Sequence, residues 1–116
     1  MVISEKITRF ERQILMHDLF VLYHRPEDFQ AFDRHYESTH VPLVRQLPRL
    51  QEFTWGKVDP EDPQGCYLVA RLTYASKDDA DASLASAPGV ASVEDLSNFA
   101  QAGVTVLNVP RVGGQR

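Results

Sequence analysis

The chain has 116 residues, 43% of them hydrophobic, with 12 Lys and Arg set against 16 Asp and Glu. That suffices for one domain with a small core, and the near balance of charge leaves no basic stripe for nucleic acid. Apolar runs stay well short of the ~18 residues of a membrane span, so neither nucleic acid nor a membrane is expected as a partner.

The opening MVISEKITRFERQ has no apolar centre and does not read as a secretory signal. The single cysteine, Cys66, cannot form an internal disulfide. Together these point to the cytoplasm. Residues 1–15 read as an extension outside the core domain. Ile3, Ile7, Phe10 and Ile14 fall at helical spacing there, so the segment is either a functionless extension or an arm packed on a neighbouring subunit. The core domain is expected over residues 16–110, and 111–116, RVGGQR, as a loose tail.

HDLFVLYHR, from His17 to Arg25, mixes β-branched and aromatic residues and ends at Pro26, which predicts a strand. Leu19, Val21 and Tyr23 share one face; Phe20, Leu22 and His24 share the other. Both faces are largely apolar, so both should be covered. One helical layer covers only one of them, which predicts a second subunit on the other.

After Pro26, acidic Glu27 and Asp28 stand where a helix start favours negative charge. Phe29, Phe32, Tyr36, His40, Leu43 and Leu47 then recur at spacings of 3, 4, 4, 3 and 4, the period of one helix face. Pro42 lies inside that pattern. It lacks an N–H, so the Ser38 carbonyl loses its helical partner, and a kink or break is expected near His40. Pro48 is expected to stop the helix.

LQEFTWGKV (50–58) alternates as a strand with one wetter face, and DPEDPQG (59–65) is a turn. CYLVARLTY (66–74) is the next strand. Ser76-Lys77-Asp78-Asp79 resembles a capping box and predicts a helix to about Ser86. Pro88-Gly89 should break it. A second short helical piece is expected from Ser92, with Val93, Leu96 and Phe99 facing inward. Val104 to Val109 is the last strand. The order β-α-β-β-α-β predicts an α+β, ferredoxin-like domain with an antiparallel four-stranded sheet.

Three stretches carry a family resemblance: LFVLYHRPEDF at the first strand, HVPLVRQLPRL after the helix with its His40-to-Leu43 core, and SAPGVASVEDLSNFA near the end. In these the chain resembles the EthD family, proteins of the dimeric α+β barrel superfamily associated with ethyl tert-butyl ether degradation. Ala87-Pro88-Gly89 departs from the family's Pro-Glu-Gly at that point. The resemblance implies a homodimer with two sheets face to face and a cleft between sheet and helices. It also implies an association with oxidoreductase systems, and relatives that include monooxygenases, isomerases, cyclases and haem-handling proteins.

His40 is the leading candidate for chemistry. An imidazole titrates near neutral pH, and this one sits on an aromatic stripe beside a proline break. It reads as a general acid or base or as a ring that stitches the kink by bonding backbone. Tyr36 is its candidate catalytic partner. Tyr23, Phe32, Trp55 and Tyr67 are candidate ligand-binding residues, with Tyr74 a further aromatic; tyrosine hydroxyls suit a carbonyl or enolate, and the rings suit a flat ligand. Each also reads as ordinary core. No metal site is expected: His35 and His40 are five apart, about 140° around an α-helix, and no Cys pair or HExxH occurs. No phosphate-binding glycine loop is present.

The leading expectation is therefore a cofactor-independent enzyme of oxidoreductase, isomerase or cyclase type. It would act on a small apolar or aromatic carbonyl compound, with His40 as proton carrier. The alternatives are a non-catalytic ligand-binding or accessory protein supporting an oxygenase, and haem binding through His40.

Overall fold

The structure, a computed structural model, describes residues 15–62 and 64–114. The helix expected around Ile3 to Ile14 lies outside the described residues. Four strands, β1 (His17–His24), β2 (Glu52–Lys57), β3 (Cys66–Tyr74) and β4 (Val104–Pro110), form one sheet in the order β2-β3-β1-β4. Every neighbouring pair is antiparallel. This is the ferredoxin-like α+β arrangement, with β1 and β3 at the centre.

Alternation along the strands sorts the sheet into two faces. Leu19, Tyr23, Leu68, Ala70 and Leu72 are buried on the inner face, against Phe32, Tyr36, Val41, Val44 and Phe99 of the helical layer. Phe20, Leu22, Val69 and Leu107 stand on the outer face, where β1 pairs Phe20 with Leu107 and Leu22 with Val69. Near the end of this face the Asp18 carboxylate accepts bonds from Thr73 (2.6 Å) and from Arg111 (2.7 Å). Arg111 also donates its N–H to the Met16 carbonyl at 3.0 Å. The expected loose tail is thus tied to β1 at its first residue.

The first helical stretch is one rod in three parts: α1 (Phe29–His35), a wide turn (Tyr36–His40) and α2 (Val41–Val44). Asp28 caps α1, its Oδ1 accepting from the Ala31 N–H at 3.0 Å. The expected kink at Pro42 takes the form of a π-turn. The Val41 N–H reaches back five residues to the Tyr36 carbonyl, a local widening of the kind often found at functional sites. The α-helix ends at Val44, earlier than Pro48 suggested, and the chain turns through Arg49 at φ 66°.

α3 (Lys77–Ala85) is capped by Ser76, which accepts from the Asp79 N–H at 3.1 Å, as its capping motif predicts. α4 (Ala87–Phe99) follows after one residue, Ser86. Pro88-Gly89 therefore does not separate two distant pieces. Pro88 occupies the first turn of α4, where no N–H is needed. Gly89 presses on the Ser83 and Leu84 carbonyls, so closely that a Cβ would collide with them. This earlier start sets which side of α4 faces in. Gly89, Ser92, Asp95 and Phe99 are buried, while Val93, expected inside, is 54% exposed.

Candidate functional site

His40 closes the π-turn and is 4% exposed. Its Nδ1 lies 3.0 Å from Asp95 Oδ2, and its Nε2 lies 3.2 Å from the Tyr23 hydroxyl on β1. The other Asp95 oxygen, Oδ1, takes His35 Nε2 at 2.8 Å and Asn98 Nδ2 at 2.9 Å. Burial alone would raise the Asp95 pKa, but hydrogen bonds from Asn98, His35 and His40 outweigh it and hold the carboxyl below its usual range. An ionised Asp95 needs a donor at Nδ1, which leaves Nε2 of neutral His40 as an acceptor. Tyr23 fills that place. Burial, then the Asp95 charge, pushes its hydroxyl pKa upward, so it keeps its proton and donates. Burial is also the main influence on His40. It lowers the ring's pKa against the opposing bond and charge of Asp95.

A half-open cavity of about 100 Å³ lies beside this chain of bonds. Its walls are almost wholly apolar, from Leu19, Val21, Phe53 and Leu72 among others; the polar side chains on it are Tyr23, Tyr36, His40 and Ser92. Ser92 donates its hydroxyl to the Gly89 carbonyl. Tyr36 is different. It is 1% exposed, and its hydroxyl has no hydrogen-bond partner among the described residues. A buried hydroxyl without a partner costs about 1–3 kcal/mol. At the rim stand Val93 and Val106, both about half exposed.

Of the residues singled out by sequence, His40, Tyr36 and Tyr23 meet at the cavity. Phe32 does not line it: the ring stacks behind Tyr36 at 5.9 Å and meets Tyr23 edge-on at 5.5 Å. Trp55 touches Tyr36 edge-on at 5.8 Å but does not line the cavity either. Tyr67 belongs to another network, with its hydroxyl on Asp33 and its ring stacked on Phe29. Tyr74 is core and bonds Ser83. Cys66 is half-buried and away from the cavity.

The reading of His35 and His40 as residues on different faces is overturned. In a turn closed between residues five apart, the two rings come round to the same side, and both reach Asp95. Among the described residues no cluster of three or more His, Cys, Asp or Glu has the geometry to hold a metal ion. Haem ligation by His40 does not fit either. Both ring nitrogens are engaged, and about 100 Å³ holds no porphyrin. Asp95, the residue sequence reasoning missed, had one readable signal: it lies three residues past Ser92 and four before Phe99, on one helix face.

The EthD domain model matches residues 24–103, from the last residue of β1 to the residue before β4, and so includes His35, Tyr36, His40 and Asp95 but not Tyr23. The chain belongs to the EthD family. It is 43% identical over 94 residues to an uncharacterised 11.0 kDa protein of the thcB–thcC intergenic region of Rhodococcus erythropolis, covering 79% of this chain and 91% of that one. A solved EthD family protein from Bacillus halodurans C-125 superposes with a TM-score of 0.77 at 31% identity, over 84% of this chain and 99% of that chain. A hydroxynitrile lyase from Passiflora edulis shares the fold, with a TM-score of 0.70 and 18% identity over 87% of this chain and 97% of its own. So does a dimeric ferredoxin-like protein from Jannaschia sp. CCS1, at 0.64 and 20% over 81% and 97%.

Proposed function

We propose that this EthD chain is a proton-transfer enzyme of small-molecule catabolism, acting on a compact apolar or aromatic compound that bears a carbonyl or hydroxyl group. The carrying observation is the Tyr23–His40–Asp95 chain of hydrogen bonds ending at an apolar cavity. In this reading, the proton taken from the ligand ends on His40 Nε2. It arrives through the Tyr23 hydroxyl, whose own proton moves to the ring as its oxygen accepts the new one. Asp95 stabilises the imidazolium so formed. Tyr36, with an unpartnered hydroxyl, donates to the ligand oxygen on which charge develops. Protein groups alone supply this proton transfer. The cavity is equivalent to roughly three water molecules at ~30 Å³ each, so as it stands it suits only a small ligand.

A homodimer and a cytoplasmic location belong to the same proposal. The homodimer is supported by the apolar outer face of Phe20, Leu22, Val69 and Leu107 and by the dimeric relative of the same fold. Light scattering at micromolar concentration should give twice the chain mass, and a monomer there would remove this part.

The functional test is a turnover screen over small carbonyl and hydroxyl compounds. On the substrate found, His40→Ala should lower kcat/KM by about 10²–10⁴. Tyr36→Phe should weaken ligand binding while leaving the fold at least as stable, because it removes an unpaired hydroxyl. An unchanged rate in His40→Ala sinks the role given to the ring. Binding without turnover across the panel would favour the carrier reading, which has its own support in the bond that already occupies Nε2.

A further inference from the structure

We infer that His35 is a positioning residue for His40, coupled to it through the Asp95 carboxylate that the two rings share. The inference rests on the reading of His40 as the proton carrier, and its test needs no turnover.

Each Asp95 oxygen faces one imidazole: His35 Nε2 at 2.8 Å from Oδ1, and His40 Nδ1 at 3.0 Å from Oδ2. The two rings also share a packing partner. Phe99 stacks on His35 at 5.0 Å and 18°, and leans on His40 at 4.8 Å and 50°. The arrangement is therefore fixed on both sides, by a carboxylate and by a ring. Only one end meets water. The His40 side chain is 5% exposed and lines the cavity; the His35 side chain is 27% exposed. His35 opens on a separate surface groove with Arg25, Glu27, Asp28 and Gln101. The wide turn creates this, since an ordinary α-helix would point the two rings about 140° apart.

One carboxylate cannot serve two imidazolium ions as well as one. With His35 neutral, the whole Asp95 charge supports a proton on His40. With His35 protonated, that charge is shared and a second cation stands beside the carboxylate. The His35 charge accordingly acts to disfavour the charged form of His40. The charged groups that line the groove with His35 are Arg25, Glu27 and Asp28, and His40 meets Asp95, the Tyr23 hydroxyl and the Tyr36 ring. The two rings are thereby linked through one carboxylate. The solvent-facing ring sets how readily the cavity ring accepts its proton, and His35 never touches the ligand.

The test is an NMR titration of the histidine ring protons in the intact protein, for the wild type and for His35→Gln and Asn98→Ala. Gln keeps an amide donor toward Asp95 but cannot titrate. Asn98→Ala removes a different bond to the same oxygen. In the wild type, His35 and His40 should show shared inflections. His35→Gln should leave His40 a single step, moved up in pH, and Asn98→Ala should keep the two-step form. On an identified substrate, the acid limb of kcat/KM should move with the NMR midpoint. Independent single-step curves for the two rings in the wild type would overturn the coupling. So would an equal change in both variants, which would mark a merely structural role. If the coupling holds but His40→Ala leaves turnover intact, the linkage stands and the proposed proton carrier falls.

Discussion

Two tyrosine–carboxylate networks sit on the inner side of this sheet, built from similar groups in different surroundings. In the first, Tyr23, His40 and Asp95 are buried, and the cavity beside them is almost wholly apolar. In the second, Tyr67 donates to Asp33 at 2.9 Å, and Lys57 reaches both at 2.9 Å, while remaining about half exposed. Water can replace any bond of the second network. In the first it cannot, so each bond there governs stability, protonation state or both. The contrast shows why a tyrosine with a carboxylate is not by itself a site: exclusion of water makes the difference.

Removing the carboxylate from each network should separate them most. Asp95→Ala strips the partner from His35, His40 and Asn98 together. It should cost about 3 kcal/mol of stability, in the range for breaking a buried charged partner. Asp33→Ala loses an exposed ion pair and should cost less than about 1 kcal/mol. Urea unfolding of both variants measures the gap, and equal losses would erase the distinction between the networks.

A smaller effect lies in pH. Burial lowers the His40 pKa below its unfolded value near 6.5. Between the folded and unfolded values the unfolded chain binds more protons, so stability rises with pH in that window. The contribution is complete above about 6.5 and is lost as pH falls toward the folded value. His40→Gln should flatten this slope in unfolding curves taken from pH 5 to 8. Lys57 runs the other way. The hydrogen bonds that Lys57 donates to Tyr67 and Asp33 raise its pKa, so its contribution is present below the unfolded value near 10.5 and disappears only as pH climbs through the folded one. Lys57→Met should leave the slope between pH 5 and 8 intact.

The sequence made some of this legible and hid the rest for physical reasons. β3 was readable to the residue, and β1 to within one at its end, because strand composition and the flanking breakers agree. The stripe from Phe29 to Leu47 showed one helix face, and Pro42 showed where its bonding must fail. It did not show how the chain would respond. A kink and a five-residue turn relieve the same lost bond, and the packing of Tyr36 and His40 against β1 and Phe99 decides between them. That choice put His35 beside His40 when α-helical arithmetic had set them apart. Asp95 was obscured by distance along the chain: its histidine partners lie 55 and 60 residues away. Val93 was misread because an apolar residue was assumed to face inward, whereas Gly89 fixes the rotation of α4.

The smallest expected effect comes from removing the tyrosine hydroxyl of the exposed network. Tyr67→Phe removes the bonds to Asp33 and Lys57 but keeps the ring, which stacks on Phe29 at 5.2 Å and meets Phe32 edge-on at 5.3 Å. The partners left behind can turn to water, so the change should stay within about 0.5 kcal/mol. Tyr23→Phe also keeps its ring packing, but it leaves Nε2 of His40 facing an apolar cavity without a donor. That should cost about 1–3 kcal/mol, the price of an unsatisfied buried acceptor. Thermal unfolding of the two variants side by side checks the comparison. A loss in Tyr67→Phe as large as in Tyr23→Phe would show that the exposed network is sealed from water after all.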